Sequence, residues 1–125
     1  MTTTPLSIAA QFGNVQEVLA SIEAGADINV CNHIGWTPLY MAAGNGHDGV
    51  VKALIAANVD IDKTDDIGWT PLLKATEYGH ETTVQILIEA GADTNKASYS
   101  GMTPLFNAKL KGHETILQML TDLRI

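Results

Sequence analysis

The sequence predicts an all-α solenoid: four helix–turn–helix units stacked side by side and joined by β-hairpin-like loops. Three observations point there. Thr-Pro-Leu stands at Thr4–Leu6, Thr37–Leu39, Thr70–Leu72 and Thr103–Leu105, in unbroken 33-residue register. Self-similarity at a period of this length marks a repeat array. Each line holds two short apolar stretches, and Gly or Asn recurs at fixed offsets where helices close.

The lines run 4–36, 37–69, 70–102 and 103–125, the last one cut short. In each, the Thr hydroxyl is placed to cap a helix whose first residue is Pro, a position that needs no backbone N–H. That helix stops at Gly13-Asn14, Gly46-His47, Gly79-His80 or Gly112-His113. A second helix follows, with apolar residues three to four apart: Val50, Val51, Leu54 and Ile55, then Val84, Leu87 and Ile88. It closes at Ala24-Gly25, Ala57-Asn58 and Ala90-Gly91. Asp27, Asp60 and Asp93 open a polar loop that turns back at Gly35, Gly68 and Gly101. Neither helix is long enough to be stable alone, so each unit needs neighbours.

Gly-Trp-Thr-Pro-Leu, Ala-Ala at 9–10 and 42–43, Gly-His, and Ala-Gly-Ala-Asp at 24–27 and 90–93 together resemble the ankyrin repeat family. The resemblance covers nearly the whole chain. Glu17 and Ser21 in the first line, and Lys109 and Thr121 in the last, put polar residues where inner lines are apolar. A stacked array needs such polar ends, so the expectation is one complete domain over 1–125. Two departures stand out. The family usually has His directly after Thr-Pro-Leu, tying neighbouring loops; here Ser7, Tyr40, Leu73 and Phe106 stand there, predicting looser loops. Asn58 takes the place of the helix-closing Gly.

Composition narrows the function. At 125 residues, nearly half of them apolar, the chain is one folded domain's worth. A formal charge of −7 opposes nucleic acid and anionic membranes, which need clustered Lys and Arg. Cys31 stands alone, the first residues lack a signal-peptide pattern, and VVKALIAANV is half a bilayer span and carries Lys52. The expectation is an intracellular, cytoplasmic or nuclear monomer.

Catalytic and metal readings are weak. His47, His80 and His113 fall at equivalent turns, about 8–10 Å apart if their helices pack normally. Zinc–nitrogen bonds of about 2 Å cannot bridge that, so turn histidines bonded to nearby backbone are expected. GHETT and GHETI lack the second His of a zinc-protease helix. DIDKTDD lacks the turn Gly and closing Glu of a calcium loop; Asp62, Asp65 and Asp66 read as a solvated acidic loop facing a basic partner. A Cys31–His33 pair has no orienting third group or oxyanion site, leaving an enzyme a remote alternative. No cofactor or metal is expected.

The resemblance implies protein binding through loop tips and the exposed side of each first helix, a rigid concave surface. Transferred by position, that surface holds His33, Trp36, Met41 and Asn45; then Asp66, Trp69, Lys74, Glu77 and Tyr78; then Tyr99, Met102, Asn107, Leu110 and Lys111. Trp and Tyr carry interface energy more often than most residues, although Trp36 and Trp69 equally suit the role of loop cover. The alternatives are a structural spacer or an engineered scaffold without a dedicated partner. Asn29 and Asn95 match the loop Asn that is hydroxylated in some ankyrin repeats of animal cells.

Overall fold

The computed structural model describes residues 3–123, so two residues at each end of the expected domain fall outside it. Eight helices follow one another: α1 Pro5–Phe12, α2 Val15–Glu23, α3 Pro38–Gly44, α4 Asp48–Ala56, α5 Pro71–Glu77, α6 Glu81–Glu89, α7 Pro104–Lys111 and α8 Glu114–Asp122. The odd-numbered helices pack in sequence to form one layer and the even-numbered helices form the other. No strand forms among the described residues.

The helix starts follow from their caps. Thr4, Thr37, Thr70 and Thr103 each accept the backbone N–H three residues on, and Pro opens each helix. Asn14 caps α2 by accepting from Glu17 N, whereas His47, His80 and His113 make no such side-chain cap. Their rings turn to the preceding repeat instead. Nε2 of His47 donates to Gln11 O at 3.0 Å, His80 to Gly44 O at 2.9 Å and His113 to Glu77 O at 3.1 Å. Each ring satisfies a carbonyl at the end of a first helix, where intrahelical donors run out.

Asn58 has φ 64, the left-handed conformation expected of it, and plays the part that Gly25 and Gly91 play in their repeats. The core lies between the layers. Leu39, Leu72, Val50, Val51, Leu54, Val84, Leu87 and Ile116 are almost completely excluded from solvent. Thr76, at the position that Ala10 and Ala43 fill in the earlier repeats, returns its hydroxyl to Leu72 O at 2.8 Å and so buries no unpaired donor.

The loop tips owe their shape to one side chain per repeat. Asn32 Oδ1 accepts from Ile34 N and Trp36 N, Asp65 Oδ1 from Ile67 N and Trp69 N, and Ser98 Oγ from Met102 N. Consecutive tips are joined by Asp66 N to Ile34 O and Tyr99 N to Ile67 O, both 3.2 Å. At Gly68, φ is 83 and an added Cβ would sit 2.7 Å from the Tyr99 ring and 2.8 Å from its N, so Tyr99 seats on the bare glycine.

Two expectations need correction. The loops do not lack a polar tie: Tyr40 is buried and its hydroxyl donates to Asp65 Oδ2 at 2.6 Å, joining the second repeat to the tip that follows it. Asp65 is therefore no member of a solvated acidic loop; it is buried, with both oxygens engaged. Of the polar residues at the two ends, Glu17, Lys109 and Thr121 are exposed and Ser21 is half-buried. They lie beside two exposed rings: Phe106, which no further repeat among the described residues covers as the next repeat covers Tyr40 and Leu73, and Phe12, at a position that Asn45, Tyr78 and Lys111 also leave open.

Candidate functional site

The helical register brings two of the three predicted ridges together around one ammonium group. Lys74, near the middle of α5, extends its side chain across the end of α3. Its Nζ lies 5.5 Å from the Trp36 ring centroid, 5.7 Å from Tyr40, 5.8 Å from Trp69 and 5.1 Å from Tyr78. All four fall within cation–π range, in which the negative faces of the rings attract the charge. Trp36 and Tyr40 stack at 5.5 Å with 27° between their planes. The two tryptophans come from loop tips, Tyr40 from α3 and Tyr78 from the cap of α5, so two successive loop tips, each with the first helix that follows it, build one cluster.

A groove of about 400 Å³ opens beside it, walled by Ile34, Trp36, Ile67, Trp69 and Lys74, with Asp66 and Glu77 on its edge. A smaller recess of about 160 Å³ lies on the other side of Lys74, between Gln11, Met41, Asn45 and Tyr78. Tyr78 and Ile67 are more than half exposed and Ile34 is exposed too, while Trp36 and Trp69 are half-buried. Each tryptophan thus covers its loop base and walls the groove at once. Burial first, then the hydrogen bond to Asp65, with further contributions from the charges of Asp65, Tyr78 and Glu77, push the Tyr40 hydroxyl far above its ordinary range. It stays protonated and keeps donating, which fixes the groove floor.

The other predicted residues divide. His33 is exposed at the first tip. Asn45 is exposed, but its amide donates to Gln11 O at 3.2 Å, a tie between α1 and α3. Glu77 forms an ion pair with Lys111 at 3.6 Å, linking α5 to α7. Tyr99 and Leu110 are strongly exposed and Met102 half-buried, yet none of them lines the groove or the recess. Asn107 is a correction: it is fully buried, with Nδ2 3.4 Å from Leu73 O, and offers no surface to a partner.

Tyr40, Ile34 and Ile67 are site residues that sequence reasoning missed, and Asp65 enters as the buried anchor of the groove floor and not as a surface acid. The repeated Ile before Gly-Trp was the one available signal, since a loop tip has no structural need for an exposed apolar residue. Asn29 is spoken for between repeats: Oδ1 accepts from Asp60 N at 2.9 Å and its carbonyl accepts from Lys63 Nζ at 2.8 Å. Asn95 is exposed, and its N–H donates to Asp93 Oδ1. Among the described residues, no three His, Cys, Asp or Glu side chains converge as metal ligands would, and no helix is long and apolar enough to cross a membrane. Cys31 is half-buried.

Stacked helix pairs, stacked glycine tips and histidine ties repeated from unit to unit describe one known architecture. A family model for ankyrin repeats, three copies long, matches residues 6–98 and again 49–125. The chain belongs to the ankyrin repeat family. Among curated proteins, none matches it. Ankyrin repeats generally bind other proteins and are typically non-catalytic. In this ankyrin domain the aromatic cluster lies on first helices and loop tips.

Proposed function

We propose that this ankyrin domain is a protein–protein interaction module, an adaptor or an inhibitor, that receives a segment of its partner in the groove beside Lys74. One observation supports this above the others: Trp36, Trp69 and Tyr78 stand together, partly open to solvent, on rigid elements. Aromatic side chains around a recess supply contact area with little rotamer entropy to lose, the usual make-up of an interface hot spot. The backbone beneath is already fixed by the Tyr40–Asp65 bond and the tip-to-tip bonds, so binding orders little. Asp66 and Glu77 on the edge favour basic flanks on the bound segment.

The test is affinity capture from lysate of the source cell, with wild type beside a Trp69→Ala, Tyr78→Ala variant shown to be folded by circular dichroism. A protein retained by wild type and lost by the variant is the expected result. Retention unchanged by the variant refutes this face, and no retention at all favours a structural spacer.

A further inference from the structure

Lys74 is an ammonium without an acid. Among the described residues it has no hydrogen-bond or carboxylate partner, only the four rings. Two of the three nearby carboxylates are engaged elsewhere, and the third, Asp66, stands exposed at the groove's edge. Asp65 takes the Tyr40 hydroxyl and two backbone N–H groups, and Glu77 leans to Lys111. The placement of Lys74 is also enforced. A Cβ on Gly44 would meet Lys74 Cγ at 2.9 Å, so the missing side chain of Gly44 is what seats the aliphatic stem against α3. A half-buried charge held among aromatic faces, between two open recesses, has unused donors and a reduced local dielectric.

We propose that Lys74 is the receptor for a carboxylate: the partner inserts an Asp or Glu side chain, with apolar residues next to it and the basic flanks beyond them, between Trp36, Trp69 and Tyr78. This rests on the protein-binding reading above and adds the chemistry of the inserted residue. The carboxylate takes charge-assisted hydrogen bonds from the ammonium while its apolar neighbours cover the indole faces and the exposed Ile34 and Ile67. The unpaired Lys74 ammonium, and not the acidic edge formed by Asp66 and Glu77, selects this occupant. A cationic side chain entering the same space would first have to evict Lys74, whereas an anion uses it where it stands.

The inference can be tested without the partner. In the full chain labelled with ¹⁵N, the indole N–H signals of Trp36 and Trp69 are followed during titration with three small probes. These are hydrocinnamate, its neutral amide, and benzyltrimethylammonium. Hydrocinnamate is expected to shift both indoles saturably and to bind at least about tenfold tighter than the amide, the factor one charge-assisted hydrogen bond supplies. Lys74→Gln should abolish that preference. Gly44→Ala, which keeps the charge but displaces the stem, should weaken it, and Lys52→Gln on the other layer should leave it intact. Equal binding of acid and amide, a preference for the ammonium, a preference that survives Lys74→Gln, or no shift with any probe would each overturn the carboxylate receptor. None of those results would touch the capture experiment, which judges protein binding separately.

Discussion

Tyr40→Phe removes a single oxygen and leaves the ring, its stacking on Trp36 and the core around it in place. What goes is the 2.6 Å bond from a buried hydroxyl to a buried carboxylate. Asp65 keeps the two N–H donors on Oδ1 but loses the partner of Oδ2. A hydrogen bond to a charged group contributes about 1.5–3 kcal/mol, so a loss of about 2 kcal/mol is expected. For a domain of this size that corresponds to roughly 6–8 °C in Tm. The sign of the pH dependence follows from the raised hydroxyl. The folded state holds its proton well above the ordinary 10.0, whereas the unfolded chain releases it near that value. The contribution is therefore complete below pH 10 and is lost as pH rises further, by about 1.4 kcal/mol per unit. Urea unfolding of both proteins from pH 7 to pH 11 reads this directly, since titration of the lysines and other tyrosines is common to both. The stability gap should be flat at first and then shrink above pH 10. A gap below about 0.5 kcal/mol at neutral pH, or one that stays constant through pH 11, would refute the bond's role.

Four further substitutions probe the frame. Asn58→Gly relieves a left-handed Asn at an exposed site and should stabilise by a few tenths to about 1 kcal/mol, read as a raised Tm; a lowered one would contradict the backbone reading. His80→Ala cuts the tie to Gly44 O and should cost about 1 kcal/mol in chemical denaturation, while an unchanged midpoint would show the tie to be idle. Leu73→Ala should cost about 2–4 kcal/mol, and Phe106→Ala, one repeat later in the same register, under about 1 kcal/mol. The first is fully buried and the second is 55% exposed, so equal losses would mean that something covers Phe106.

The frame was legible because a 33-residue register repeats its own punctuation: Thr and Pro start a helix, and Gly or Asn ends one, wherever they recur. The site was half legible. Register located Trp36, Trp69, Lys74 and Tyr78 on one side of the molecule, since side chains at equivalent positions share a face. It misplaced Asn107, which shares its position with Met41 and Lys74 but turns inward to Leu73 O. Register fixes where a Cα sits, and the neighbours decide where its side chain goes. The Tyr40–Asp65 bond was hidden for a related reason. It joins two positions that the other repeats fill differently, Leu73 and Ser98 in the next one, so no repeated pattern announces it. The Lys74 cluster likewise needs Gly44, whose role is to be small.

The central claim, that a partner sits on the first helices and loop tips around Lys74, is tested most directly by hydrogen exchange on the captured complex. Deuterium uptake of the free and bound domain would be compared segment by segment. Protection confined to residues 34–41, 66–69 and 74–78, with α2, α4, α6 and α8 unchanged, is the predicted result. Protection on the even-numbered helices, with the aromatic groove exchanging as in the free domain, would contradict it.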